Sequence, residues 1–192
     1  MTYRVITLPT IEPILLEEAK SQCRVDIDDD DAYIESLIGA ARLYCEKIDW
    51  RSYLTQTIEL WLDRWPDDAE ISIPRPPLQS VSKIEYYNTS DTVATFAATS
   101  YFVDVVSEPG RVALRYNKPW PSTTLRPTNA ICVTYVAGWT AAALVPKTIK
   151  QAMLLLIGHW YENRESTTVG AVSRAIEFGV MALLGIDRVF RF

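Results

Sequence analysis

Apolar and polar residues change period twice along this chain, dividing it into three stretches. Up to about Trp50 the period is helical. Between Leu15 and Val25 the apolar positions Leu16, Ala19 and Cys23 recur at helical spacing, with Pro13 just ahead, where a helix can begin. A second helix is written more strongly. Ile34, Leu37, Ile38, Ala41, Tyr44, Cys45 and Ile48 step by three and four residues onto one face. Asp28 to Asp31 precede it, where a side-chain oxygen caps free N–H groups and negative charge meets the positive helix end. The spacing predicts two helices joined by a short acidic turn.

From about Ser52 to Trp139 the period falls to two. Ile58, Leu60 and Leu62 alternate with Thr57, Glu59 and Asp63, as in a half-buried strand. Further strand-like runs are Glu70–Ile73, Val81–Tyr87, Val93–Phe96, Tyr101–Val106, Arg111–Tyr116 and Ala130–Val136. Turn residues separate them: Trp65-Pro66-Asp67-Asp68, Pro74-Arg75-Pro76-Pro77, Asn88-Thr89-Ser90-Asp91 and Glu108-Pro109-Gly110. Pro119, Pro121 and Pro127 mark a longer loop that no central strand would tolerate.

Helical spacing returns at Val145-Pro146, where Ile149, Ala152, Met153, Leu156, Ile157 and Trp160 form one apolar stripe. Leu154 and Leu155 lie off it, so this helix is apolar on more than one side and needs cover on more than one side. A polar, small-residue stretch from Asn163 to Ser173 leads to a last short helix around Ile176–Leu184. The expected class is α+β. Terminal helices (residues 1–50 and 141–192) form a small bundle carrying a central antiparallel β-rich insertion (51–140), within a single domain spanning residues 1–192.

Composition narrows the function. The 192 residues are 48% hydrophobic and 22% charged, with 19 Lys plus Arg against 24 Asp plus Glu and a net charge of −5. That is a globular composition and a poor one for gripping phosphates. One histidine rules out any zinc site needing two. Three cysteines, Cys23, Cys45 and Cys132, contain no CxxC pair, which fits a reducing compartment and no disulfide framework. The opening Met1-Thr2-Tyr3-Arg4 is followed by no apolar signal segment. The densest apolar run, Ala152 to Ile157, falls far short of the ~20 residues a membrane span requires. The expectation is a soluble, intracellular protein without cofactor.

Candidate chemistry is thin. Asp26, Asp28 and Asp30 alternate as in a calcium loop, but the sixth and twelfth positions hold Asp31 and Leu37 where Gly and Glu are required. The aspartates read as a solvated helix cap. His159 and Glu162 stand at the spacing of half a carboxylate-bridged metal site, and a lone histidine leaves no second half. His159 is expected to bond at a helix end. Ser, Thr and Cys nucleophiles lack a G-x-S-x-G elbow, and seven glycines form no phosphate-cradling loop. An acid–base pair of Glu162 and Glu165 is the remaining enzymatic alternative, a small hydrolase. Trp120, Trp139, Trp160 and Tyr161 sit at loops and helix ends, where aromatic residues either anchor interfaces or fill a core.

Ordered strings of the chain resemble the head–tail connector (adaptor) proteins of tailed bacteriophages, in the gene-product-six-like group and its longer members with a β insertion. They run from Pro13-Ile14-Leu15-Leu16-Glu17-Glu18-Ala19-Lys20 and Arg24-Val25-Asp26 through Asp30-Asp31, Ile34, Leu37-Ile38 and Ala40-Ala41-Arg42. The middle adds Leu62-Asp63-Arg64-Trp65-Pro66, Ile73-Pro74-Arg75-Pro76-Pro77-Leu78-Gln79-Ser80-Val81 and Glu108-Pro109-Gly110-Arg111. Ala137-Gly138-Trp139, Val145-Pro146 and His159-Trp160-Tyr161-Glu162-Asn163-Arg164-Glu165 complete the series. The tail departs from the pattern, with Leu184-Gly185-Ile186-Asp187-Arg188 in place of a proline-containing basic end.

The resemblance implies a non-enzymatic virion protein of the head–tail junction, made in a bacterial host. It would form a homo-oligomeric ring of about a dozen copies under a portal protein, extend the DNA channel and receive a stopper or tail-completion protein. Double-stranded DNA would pass through without specific binding, and a DNA-packaging factor that touches DNA transiently is the alternative. Ring interfaces need unlike patches on one subunit, and Leu154, Leu155, Trp160, Tyr161, Arg164 and Trp139 are the expected contributors.

Overall fold

The computed structural model describes residues 2–164 and 172–188. Where one domain with an insertion is expected, the chain divides into two compact units, Met1–Pro9 with Thr55–Gly138 and Thr10–Leu54 with Trp139–Phe192. The seams at Leu54 and Gly138 fall close to the changes of period. The N-terminus does not follow the pattern: its first residues form strand β1 (Thr2–Thr7) of the β unit, in a stretch that reads as helical. Its alternation of exposed Thr2 and Arg4 with half-buried Tyr3 and Val5 is too short to register as a period.

The expected strands all form: β2 (Gln56–Leu62), β3 (Glu70–Ser72), β4 (Leu78–Tyr87), β5 (Val93–Thr95), β6 (Tyr101–Asp104), β7 (Arg111–Leu114) and β8 (Ile131–Ala137). They make a five-stranded sheet in the order β1-β2-β8-β4-β5 and a three-stranded sheet in the order β3-β7-β6. Every pairing is antiparallel. Central β8 lays Val133 opposite both Leu60 and Ile84, and all three are fully buried. Ile71, Val112 and Tyr101 of the smaller sheet join the same core. At one end the Trp65 and Trp120 rings stack 4.9 Å apart beside Phe96, and the Trp120 indole N–H donates to the Asp68 carbonyl at 2.9 Å. Trp120 is therefore a core-filling residue of the β unit.

The helical unit holds α1 (Leu16–Cys23), α2 (Asp31–Asp49), α3 (Lys147–Glu162) and α4 (Val172–Asp187). At the start of α1 the Glu18 carboxylate reaches back to accept the Leu15 backbone N–H at 2.9 Å. The α1 and α2 helices end at Arg24 and Trp50, both left-handed with φ of 56° and 63°. The apolar stripe of α3 is buried as expected, and α3 packs against α1, α2 and α4. That three-sided packing explains its excess of apolar residues. The last helix is longer than the sequence suggests, because Ser173 and its neighbours extend it backwards.

Candidate functional site

The acidic turn and the end of α3 meet in a latch within the helical unit. Asp30 holds the cap position of α2, yet its side chain makes no capping hydrogen bond. Instead its Oδ2 accepts the Tyr161 hydroxyl at 2.6 Å and the Arg164 guanidinium at 2.7 Å. The guanidinium also lies over the rings of Tyr33 and Tyr161, 4.7 and 4.8 Å from their centroids. Beside it, Lys20 bridges Asp28 and Asp31, both at 2.7 Å. The expectation of a solvated cap is thereby corrected: these carboxylates clasp neighbouring elements, and the helix dipole only adds to their preference for that end. Among the described residues no cluster of His, Cys, Asp and Glu could hold a metal.

Charge follows geometry. The hydrogen bonds from Tyr161 and Arg164 hold the Asp30 carboxyl below the usual carboxylate range, and Asp30 in turn raises both partners. A depressed carboxylate contributes stability that is present above its ordinary range and lost as pH falls through the lower folded value. Acidification through and below the ordinary carboxylate range, about pH 4, is thus expected to release the latch and loosen the start of α2. Replacing Asp30 by Ala is expected to do the same at neutral pH, with exposed Asp29→Ala as the control. Amide exchange across Asp31–Ser36 reads the result; equal protection in wild type and Asp30→Ala would contradict the latch.

Other candidates resolve as structure. The Asn163 side-chain amide stands 3.1 Å from His159 Nδ1 and donates to the His159 carbonyl at 2.9 Å, the expected helix-end role. Glu162 ends α3, and Glu165 lies outside the described residues. A cleft of about 690 Å3 in the β unit, lined by Trp65, Asp67, Asp68 and Glu70 among others, contains neither His159 nor Glu162. Burial pushes the Cys45 thiol up to about 12 and Cys132 up to about 11, so both are thiols and poor nucleophiles at neutral pH.

The expected interface residues have partners within their own unit. Leu154, Leu155, Trp160, Tyr161 and Trp139 are half-buried and pack on the helical core, Trp139 also lying 6.3 Å from the Tyr53 ring and 5.9 Å from the Arg51 guanidinium. Arg164 is half exposed on the latch. Two features go unrecognised in the sequence. One is a buried polar network of Arg42, Glu46 and Asp49 along α2 with Tyr53 just beyond its end. The other is an exposed apolar face on α4, carried by Phe178, Met181 and Ile186.

Comparison with known proteins finds a family model that matches part of the chain and solved structures that share its fold. Residues 13–100 match the family model described as phage gp6-like head-tail connector protein, the group that the sequence motifs resemble. A chain in the neck of an empty gene transfer agent particle, computed with C6 symmetry, is 21% identical with a TM-score of 0.80, covering 100% of this chain and 97% of that one. A chain from the virion of the native particle is 19% identical with the same TM-score and coverage. One in the native neck, computed with C12 symmetry, is 20% identical with a TM-score of 0.72, covering 98% of this chain and 97% of that one. The expected α+β class therefore holds over the described residues. No curated protein matches the chain.

Proposed function

We infer that this chain is a structural head–tail connector of the neck of a phage or phage-like particle, working as a ring of like copies and catalysing no reaction. The observation that carries the reading is the connector-family match over residues 13–100, which takes in α1, the acidic turn, α2 and strands β2 to β5, about half of the β unit. The full-length likeness to neck chains supports the fold such a role needs, and the sixfold and twelvefold symmetry of those necks supports a closed ring.

In this role the ring sits under a portal, lengthens the DNA channel and offers its far side to a stopper or tail-completion protein. A latch that clasps α2 to the end of α3 suits a part that must keep its shape while a duplex passes. The net charge of −5 suits a wall that lets the duplex slide, since bound phosphates would hold it. The experiment is co-sedimentation of the full chain with portal assemblies from its own particle, alongside a gel-shift assay with double-stranded DNA. Portal binding without DNA retention at physiological salt is the expected result. Tight, salt-dependent DNA binding would favour a packaging factor over a connector.

A further inference from the structure

We propose that the outer face of α4 is where one copy of this chain packs onto the next, and that its counterpart is the outer face of α2; this rests on the ring reading above. Helix α4 turns Val180 and Leu184 into the core of its unit. Its opposite side presents Phe178 (77% exposed), Met181, Ala182, Gly185 and Ile186 (71% exposed), spaced by three and four residues along one stripe. From Phe178 to Ile186 the sequence has no polar side chain, so the solvent side is as apolar as the buried one. An ordinary surface helix puts its charges there, and an apolar stripe facing water marks an association surface. At Gly185 a Cβ would meet no atom within 4 Å, so a neighbouring helix has room to approach the backbone closely.

The counterpart lies on the same unit. The exposed face of α2 runs through Ser36, Ala40, Leu43, Tyr44 and Lys47, apolar at its centre. Tyr44 rests edge-on against Trp160, with ring centroids 6.0 Å apart, which stiffens that centre and brings one of the expected interface aromatics to its border.

Three arguments make the occupant a second copy of this chain. A closed ring needs two unlike patches on each subunit, and the two helices supply them. Copies that each carry a net charge of −5 repel across most of their surface, and an uncharged stripe is where they can meet at least cost. The stripe is also small: Phe178, Met181, Ala182, Gly185 and Ile186 make it up, against the roughly 20–30 residues a side of a stable complex. A contact of that size is weak between free copies and closes when a scaffold holds them at high local concentration.

The test uses full-length chains carrying point substitutions. Phe178→Cys and Tyr44→Cys proteins, mass-tagged and both carrying Cys23→Ser because that native thiol is only half-buried, are mixed under a mild oxidant; the native Cys45 and Cys132 are buried and give little background. The expected product is the mixed dimer. Sedimentation at high concentration is expected to show weak self-association that Phe178→Asp weakens about tenfold or more, with the circular dichroism unchanged because the residue is exposed. Absence of both the mixed dimer and self-association overturns the proposal, as does a dominant Phe178–Phe178 cross-link. Loss of portal binding by Phe178→Asp with self-association intact also overturns it and gives the face to the portal. Wild-type failure to bind a portal, with the mixed dimer still formed, would sink the connector reading and leave this contact standing.

Discussion

Replacing Asp49 by Ala is expected to destabilise the helical unit by about 3 kcal/mol. Asp49 ends α2, where a carboxylate meets the negative end of the helix dipole, and it is fully buried. Both are unfavourable, so the partners decide its place. Its Oδ2 accepts the Tyr53 hydroxyl at 2.6 Å and its Oδ1 accepts the Arg51 backbone N–H at 3.1 Å. One turn earlier, the buried Glu46 accepts the Tyr53 backbone N–H at 2.7 Å and faces Arg42, which itself grips Glu12. Burial and the Asp49 charge push the Tyr53 hydroxyl well above the usual tyrosine range, so it stays a donor. Removing the carboxylate leaves these buried donors with no solvent to turn to. Asp49→Asn retains one acceptor oxygen and is expected to cost about half as much. Urea unfolding followed by circular dichroism measures both; a change below about 0.5 kcal/mol for Asp49→Ala would refute the network's role.

The second large effect is expected at Gly110 in the β unit. A Cβ there would lie 2.6 Å from Leu78 Cβ, 2.7 Å from Leu78 Cδ2 and 3.1 Å from the Asp104 carbonyl oxygen. The stem of Leu78 belongs to a strand of the larger sheet and cannot swing away, while the Gly110 carbonyl is held by the Ile73 N–H at 2.7 Å. Gly110→Ala is therefore expected to lose about 2 kcal/mol through overpacking. Combining it with Leu78→Gly, which removes both the Cβ and the Cδ2 in the way, should cost less than the two single changes added, because the second makes room for the first. Strict additivity in a double-mutant cycle would show that the close approach of the two sheets is not the cause.

The reach of the sequence depended on whether a signal was local. Seven strands were legible because alternation and proline-rich turns act within ten residues or so, and α2 because nineteen residues repeat one spacing. β1 was hidden because its partner is β2, more than fifty residues on, and its own alternation is too brief. Asp30 read as a cap because the residues that claim its carboxylate, Tyr161 and Arg164, are more than 130 positions away. Arg42, Glu46 and Asp49 look like ordinary polar positions of a helix until burial places them inside. The α4 face stayed invisible for the opposite reason: a helix apolar all round does not tell which side its neighbours cover. The family strings were legible throughout, and residues 13–100, which carry most of them, are the ones the connector model matches.

Electron microscopy of the full chain mixed with the portal of its own particle tests the central claim most directly. The account predicts a closed ring of this chain on the tail-side face of the portal, coaxial with the DNA channel. A portal that stays bare, or a chain found along the DNA, would contradict it.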